Sequence, residues 1–231
     1  MIDFITGSDT AEHPDVVKLA ASLRSAGQPN LTPVLSAEAN LANKYNKGAA
    51  QTNGKYLGFV QRDTEILSNS IMFDRIEKLL DLPDTGIVGV CGAMRLNTQG
   101  TWWGDAPREQ VMAGCRGAVG CPDKDAPNPF GMNMLAWPGG IAAFGRVLVV
   151  DGVLLMCSRA TFEKVGGYDE SLVGPHFYDI DISLRAHVVG LKNYAAPILM
   201  FHNSTGHYNQ AWETTRQAFL KKWAGKLPIS L

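Results

Sequence analysis

The segment Lys55 to Asp63, KYLGFVQRD, joins an apolar run directly to a charged pair. The run is typical of a buried strand, and Arg62 and Asp63 mark the point where that strand ends. Similar apolar runs recur on both sides of this segment, at residues 2–6, 31–35 and 87–94. With helical patterns between them, these runs predict parallel strands in one sheet, with helices on both faces.

Helical patterns separate these strands. Pro14 suits the first turn of a helix that Gly27 ends. Glu38 to Ala50 has a helical composition, and Ser68 can cap a third helix. Later in the chain, the patterns predict a strand over residues 146–156, a short helix over 162–165, a helix over 178–189, an apolar strand over 194–201 and a last helix over 209–224. We therefore expect an α/β domain whose ligands bind at the carboxyl ends of the strands.

Composition bounds the class of protein. The 231 residues, of which 45% are hydrophobic and 19% charged, can bury a large core, and the sequence contains no linker that would divide it. We therefore expect one domain over residues 1–231. Within it, residues 97–145 lack periodicity, and a C-terminal helix is expected within residues 208–231. The formal net charge of −1 argues against a partner nucleic acid bound through bulk charge.

The sequence shows no signal peptide and no apolar stretch long enough to span a bilayer, which predicts a cytoplasmic protein without a transmembrane segment. Its four cysteines form no CxxC pair, so reduced thiols are favoured. Whether Cys115 and Cys121 are bridged stays open, and the oligomeric state is unknown at this point.

Asp63 is the first candidate for chemistry. It follows an apolar strand, with Glu65 two residues on, and carboxylates at a strand end suit a hard divalent cation. A solvated loop aspartate is the alternative. His202 follows another apolar run and is a candidate metal ligand, with His207 as its competitor and a surface loop histidine as the alternative.

A second pair of carboxylates lies in the segment HFYDIDISLRA, residues 176–186. Asp179 and Asp181 fall at a helix start, about 200° apart around the helix, so both cannot face one ligand. Asp181 can pair with Arg185 at i, i+4, which leaves Asp179 as the candidate general base. The alternative is that both carboxylates only stabilise the helix start.

Two further features interrupt their surroundings. Asp151 and Gly152 break a strongly apolar run, where a carboxylate is costly unless it is hydrogen-bonded or meets a ligand. Trp102 and Trp103 are adjacent in an irregular segment, where they suit either stacking on a sugar ring or burial in the core. The sequence contains no GxGxxG, GxxxxGK[ST], GxSxG or HExxH, which disfavours Rossmann dehydrogenases, P-loop NTPases and α/β-hydrolases.

Taken in order, five stretches resemble the GT-A-fold glycosyltransferases of the family 2 type: residues 46–48, 54–63, 149–155, 162–170 and 177–185. The resemblance spans roughly residues 1–207. It implies the nucleotide-diphospho-sugar transferase fold, with a central, mostly parallel sheet flanked by helices. It also implies a hexosyltransferase that moves a sugar from a nucleotide-sugar donor, commonly a UDP-sugar, to a carbohydrate or other hydroxyl acceptor with inversion.

The resemblance also implies roles for residues. Asp179 matches the catalytic base. Asp63 matches the second Asp of the DxD motif, which would hold Mn²⁺ or Mg²⁺ together with His202. The donor and acceptor would contact Asp151, Gly152, Trp102, Trp103 and Asp181, and the nucleotide would contact Thr6, Ser8, Glu38, Asn46, Gln61 and Arg62.

Two positions depart from the family pattern. Gln61 stands at the first DxD position, and Tyr178 stands where the pattern has Glu before the base. These departures leave open a GT-A domain that binds nucleotide sugar with little transfer. A nucleotidyltransferase is a further alternative, although that class usually has a basic Gly-rich loop after its first strand, and residues 5–9 contain no Lys or Arg.

Overall fold

The computed structural model describes residues 1–37, 40–102, 107–122, 144–204 and 208–231. Its helices are α1 (Pro14–Ser25), α2 (Leu41–Gln51), α3 (Ser70–Leu80), α4 (Arg108–Ala113), α5 (Arg159–Lys164), α6 (Tyr178–Val188) and α7 (Gln210–Lys222). Its strands are β1 (Ile2–Ser8), β2 (Leu31–Leu35), β3 (Tyr56–Val60), β4 (Thr64–Ile66), β5 (Thr85–Gly89), β6 (Cys91–Ala93), β7 (Arg95–Leu96), β8 (Cys115–Gly117), β9 (Gly145–Val147), β10 (Val149–Val150), β11 (Leu154–Ser158), β12 (Lys192–Ala195), β13 (Met200–His202) and β14 (Ile229–Ser230).

The main sheet has seven strands in the order β2-β1-β3-β11-β5-β12-β9. Strand β1 pairs in parallel with β2 and β3, and β12 pairs in parallel with β5. Strand β11 runs antiparallel between β3 and β5, and β9 runs antiparallel at the edge. Strands β1, β2, β3, β5 and β12 therefore point one way, which confirms the expected mostly parallel sheet.

Two predicted strands are divided between sheets. The run 87–94 leaves the main sheet at Val90, and β6 joins β8 and β10 in a three-stranded sheet. The run 146–156 likewise crosses at Leu148 into β10 and returns through residues 151–153 to β11. Glycine permits this close crossing, since a Cβ at Gly89 would lie 2.1 Å from Cγ1 of Val150. Periodicity alone cannot show such crossings, because both halves of each run are equally apolar.

Two apolar clusters cover the two faces of the main sheet. Consecutive residues of β1 enter different clusters, because successive side chains of a strand point to opposite faces. Phe4 packs with α1 and α3, and Ile5 packs with α2 and α6. Burial of each such side chain stabilises the fold by about 1.5–3 kcal/mol. Helices on both faces were predicted, and this arrangement confirms them.

A third cluster joins α6 to α7 and fixes the C-terminal helix. Phe177, Ile180 and Leu184 pack with Phe219 and Trp223, all of them buried. The Asn209 side chain accepts a hydrogen bond from the Trp212 N–H at 3.1 Å and thereby caps α7. This apolar contact holds α7 against the helix that carries Asp179.

Several local predictions need correction. Ser68 does not cap α3, since its hydroxyl accepts a hydrogen bond from the Leu199 N–H at 2.7 Å and the cap position is Asn69. The second helix starts at Leu41, three residues after Glu38, which lies outside the described residues. The described parts of 97–145 contain α4 and β8. None of the four cysteines forms a disulfide, so Cys115 and Cys121 are not bridged, and the prediction of reduced thiols is confirmed. Among the described residues, no helix has the length and apolar character needed to cross a membrane.

Candidate active site

A cavity of about 720 Å³ lies where the parallel strands β1, β3 and β5 end. Gly7, Gln61 and Cys91 line it from those strand ends. Further lining comes from the turn 151–153, from the start of α6 and from the residues around the start of α7. This is the position at which ligands bind in open α/β sheets. Asp63, His202, Asp151 and Asp179 all line this one cavity.

Asp63 and His202 approach each other across the two-stranded sheet β4–β13. His202 lies opposite Thr64, and the Asn203 N–H donates to the Asp63 carbonyl oxygen at 2.8 Å. His202 Nε2 lies 3.4 Å from Asp63 Oδ1, an ion-pair distance, but this buried nitrogen has no well-aligned hydrogen bond to any described residue. Burial alone would raise the pKa of Asp63, but the adjacent imidazole, a backbone hydrogen bond and Arg62 together outweigh burial, so the pKa is lowered.

This pair fits a divalent cation. A carboxylate oxygen and an imidazole nitrogen with no hydrogen-bond partner among the described residues form a mixed ligand set that suits Mn²⁺. The described residues contain no group of three or more His, Cys, Asp or Glu side chains that could ligate a metal.

Asp179 lies in the first turn of α6 and its side chain is almost fully buried, with 9% exposure. Burial, and after it the carboxylate of Asp151, raise the pKa of Asp179 to about 7, although backbone N–H groups partly oppose both effects. Asp151 accepts a hydrogen bond from the Val153 N–H at 3.0 Å, and burial raises its pKa too. A carboxyl group with a pKa near the working pH is suited to general base chemistry.

Asp181 is directed away from the cavity. It is fully buried and accepts hydrogen bonds from Arg185 Nε at 2.8 Å and Trp223 Nε1 at 2.9 Å, and Lys222 Nζ lies 2.7 Å away. The predicted pair with Arg185 is present, whereas the predicted contact with donor or acceptor does not match this placement. Two positions along a helix separate the side chains by about 200°, so the carboxylate that faces α7 cannot face the ligand.

The two departures from the family pattern contact each other. Gln61 Nε2 donates to the Tyr178 hydroxyl at 3.3 Å, and that hydroxyl donates to the Gly152 carbonyl oxygen at 2.8 Å. Glycine is required at 152, because a Cβ there would lie 2.5 Å from the Tyr178 oxygen. The Gln–Tyr pair therefore joins the end of β3, the start of α6 and the turn 151–153. It adds no negative charge beside Asp151 and Asp179.

Replacing Tyr178 by Phe is expected to lower the free energy of unfolding by about 1–3 kcal/mol, because the Gly152 carbonyl and the Gln61 amide lose their partner. Urea unfolding followed by circular dichroism measures this loss. Tyr168→Phe is the matched control, since Tyr168 belongs to the same aromatic cluster and its buried hydroxyl has no hydrogen-bond partner in the part of the chain that the structure describes. Equal losses in the two variants would contradict a bridging role for the Tyr178 hydroxyl.

The residues predicted to contact a nucleotide divide into two groups. Gln61 and Arg62 line the cavity, and Arg62 Nη1 also donates to Asp9 Oδ1 at 2.5 Å. Thr6 is fully buried within β1, and the Ser8 hydroxyl donates to the Thr10 carbonyl oxygen at 2.7 Å. Asn46 instead ties α2 to the segment after α5, through hydrogen bonds to Tyr168 O and Glu170 Oε1 at 2.9 and 2.8 Å. For these last three residues the placement favours a structural role.

Aromatic residues form another part of the wall. Trp102 lines the cavity as predicted, whereas Trp103 and His207 lie outside the described residues. Sequence analysis missed Tyr208 and Trp212, which enter the cavity from the start of α7. Their one sequence signal was an aromatic pair flanking the Asn209 cap, and nothing local could place it beside Asp179.

Comparison with known proteins agrees with this geometry. A sequence model of the family described as "Glycosyltransferase like family" matches residues 30–223. Among solved structures, the chain is similar to GalNAc-T7 with UDP, GalNAc and Mn²⁺, at 12% identity and a TM-score of 0.61 over 97% of this chain and 42% of that one. It is also similar to the mannosyltransferase PcManGT from Pyrobaculum calidifontis, in complex with GDP-Man and Mn²⁺, at 11% identity and a TM-score of 0.57 over 93% of this chain and 60% of that one.

These structural likenesses, at 11–12% identity, confirm the GT-A fold and carry the argument no further than the fold. The chain spans 42% and 60% of the lengths of those two proteins. No curated protein sequence matches it.

Proposed function

This chain belongs to the glycosyltransferase-like family, and from that premise we propose that it transfers a hexose from a nucleotide-sugar donor, of the UDP type, to an acceptor hydroxyl. One observation carries the proposal. The same cavity holds the Asp63–His202 pair, which is suited to a divalent cation, and the buried carboxyl group of Asp179, whose pKa lies near neutrality. Family membership supports the reaction class. The Asp63–His202 pair and Asp179 supply what that reaction needs, a site for a divalent cation and a general base.

The proposed reaction follows from these groups. Asp179 takes the proton of the acceptor hydroxyl, and the hydroxyl oxygen then attacks the anomeric carbon from the face opposite the leaving nucleotide diphosphate. The bond from that carbon to the diphosphate oxygen breaks, and the configuration inverts. Asp63 and His202 would hold Mn²⁺ or Mg²⁺, which when bound stabilises negative charge on the departing diphosphate. Gln61 and Arg62 line the same region and would contact the nucleotide.

A second candidate function is binding of the nucleotide sugar with little transfer. The neutral Gln61–Tyr178 pair, which stands where the family pattern has two carboxylates, favours it. Transfer is nonetheless the better conclusion, because Asp179 keeps the base position, and burial together with the neighbouring Asp151 carboxylate keeps its pKa high.

Calorimetric titration of UDP, GDP and CMP, each with Mn²⁺ and with EDTA, tests the proposed site. We expect one nucleotide, UDP, to bind only with the metal. Asp63→Ala is expected to weaken this binding about tenfold or more, a loss of about 1.4 kcal/mol, since the carboxylate ligand is removed. Glu65→Ala is the matched control, because Glu65 is exposed two residues further along. Nucleotide affinity that is the same with metal and with EDTA would rule out this metal site.

A further inference from the structure

One side of the cavity presents aromatic rings that the proposed reaction does not use. We call Tyr208 and Trp212, with Phe177 behind them, the aromatic wall. The ring centroids of Tyr208 and Trp212 lie 5.4 Å apart at 79°, and those of Phe177 and Trp212 lie 5.4 Å apart at 49°. Tyr208 is 68% exposed, whereas Phe177 is buried. The wall therefore exposes aromatic surface to the cavity, and buried Phe177 packs behind that surface.

The wall is held rigidly. The Arg216 guanidinium lies 5.8 Å from the centre of the Trp212 ring and is itself paired with Glu213 at 2.7 Å. Phe177 also contacts Phe219, at 5.1 Å between ring centroids. Rigid aromatic side chains bind ligands at a low cost in conformational entropy. An aromatic surface fixed in this way is prepared for a ligand before the ligand arrives.

Backbone strain connects the wall to the proposed base. Phe177 adopts φ 63°, the left-handed region that a residue other than glycine rarely occupies. Such a conformation costs of the order of 1–3 kcal/mol and persists only where the surroundings enforce it. The Phe177 ring packs against Trp212 and Phe219, and the chain turns at this residue directly into α6, two positions before Asp179. The wall and the base are thus positioned by one residue.

The chemistry of the surrounding groups selects the ligand. The carboxylates of Asp151 and Asp179 accept hydrogen bonds from hydroxyl groups, and the aromatic rings favour the apolar C–H face of a ring. A pyranose offers both, with C–H groups on its face and hydroxyls at its edge. Two buried carboxylates disfavour an anionic sugar. His176 and Asn209 interrupt the apolar surface that a lipid chain would need.

We propose that the aromatic wall is the acceptor subsite and that it binds a neutral pyranose ring. This inference rests on the proposed transferase function and deepens it by naming the class of acceptor. It places acceptor recognition on the residues around the start of α7, in addition to Trp102 in the irregular region.

Saturation-transfer NMR tests the subsite without any turnover. The probes are lactose, N,N′-diacetylchitobiose and glucuronic acid, each added to the whole protein with UDP and Mg²⁺, which is diamagnetic and leaves the sugar signals sharp. We expect saturation of the ring C–H protons of a neutral sugar and none of glucuronic acid. Tyr208→Ala is expected to weaken the binding of the neutral sugar about 2–12-fold, the range that loss of one stacked aromatic contact gives. Ile71→Ala, at a residue that is 65% exposed and does not line the cavity, is the control and should change nothing.

A second variant keeps the test decisive if packing changes. Trp212→Phe keeps an aromatic ring and is expected to retain binding, whereas Trp212→Leu should lose it. Saturation of no neutral sugar, stronger binding of glucuronic acid, or equal binding by wild type and Tyr208→Ala would overturn the inference. Failure of the transferase proposal itself is separate, because it would appear as loss of metal-dependent UDP binding in the wild-type calorimetry.

Discussion

Replacing Asp179 by Asn is expected to lower the rate of sugar transfer about 10²–10⁴-fold, the contribution of a general base. The amide cannot take the acceptor proton, although it keeps the shape of the side chain. The nucleotide contacts lie elsewhere in the cavity, so metal-dependent UDP affinity should be unchanged. The measurement is the initial rate of UDP release with acceptor, beside calorimetric UDP binding. Activity equal to that of the wild type would remove Asp179 from the role of base.

The pH dependence follows from the same group. The pKa of Asp179 is raised from 3.8 to about 7, because burial and the Asp151 carboxylate disfavour its charge. The transfer rate should therefore fall as the pH falls through about 7. The native state binds this proton more tightly than the unfolded state. The stability that Asp179 contributes is therefore fully present below about pH 4, and this contribution is lost as the pH rises toward 7. Asp179→Asn should remove this loss and be more stable than the wild type at pH 8.

Thermal unfolding of both proteins at pH 5 and pH 8 measures the effect on stability. Asp84→Asn is the control, since Asp84 is in an exposed ion pair with Lys192. That change should alter stability by less than about 1 kcal/mol at either pH. If Asp179→Asn shows the same pH dependence as the wild type, the carboxyl group is not held at a raised pKa.

Asp181→Ala is expected to lower the free energy of unfolding by about 3–5 kcal/mol. The change removes the acceptor for Arg185 Nε and Trp223 Nε1, both of which are left in a largely dry interface between α6 and α7. Lys222 keeps Asp169 as a partner at 2.5 Å, so it contributes less to the loss. The effect is large because a fully buried carboxylate satisfies several donors at once.

Chemical denaturation measures this loss directly, and each kcal/mol corresponds to about 2–4 °C in Tm for a domain of this size. Asp84→Asn again serves as the control, because the same charge is removed from an exposed pair. A loss below about 1 kcal/mol in Asp181→Ala would show that the network between α6 and α7 adds little to the apolar contacts there. The loss of stability in Asp181→Asn should lie between those of Asp84→Asn and Asp181→Ala, because the amide oxygen can still accept a hydrogen bond from Trp223.

The parallel framework could be predicted from the sequence because its signals are local. The strand over residues 31–35 and the start of α6 at Tyr178 coincide with apolar runs and helix-start residues. The insertion of β11 between β3 and β5 could not be predicted, since it depends on which strands pair over about a hundred residues of chain. The division of residues 87–94 between two sheets could not be predicted for the same reason.

The candidate site shows a similar division. Asp63 and Asp179 were predicted because each stands at the end or start of an element, where side chains reach a ligand. The partner of Asp181 at Trp223, 42 positions away, and the entry of Tyr208 into the cavity depend on how α7 packs. Asn46 shows the converse: its segment matched the family pattern, and the side chain holds two loops together.

The crossings between the two sheets have a mechanical consequence. The chain passes between the main and the small sheet at Val90, at Leu148 and through the turn at Asp151, and the Leu148 N–H donates to the Ala93 carbonyl oxygen at 2.8 Å. Three covalent connections make a hinge between the sheets stiff, because any rotation must bend all of them together. Asp151 is therefore mounted on a rigid frame beside Asp179. We therefore expect Asp151 to keep its position while a ligand binds and leaves the cavity.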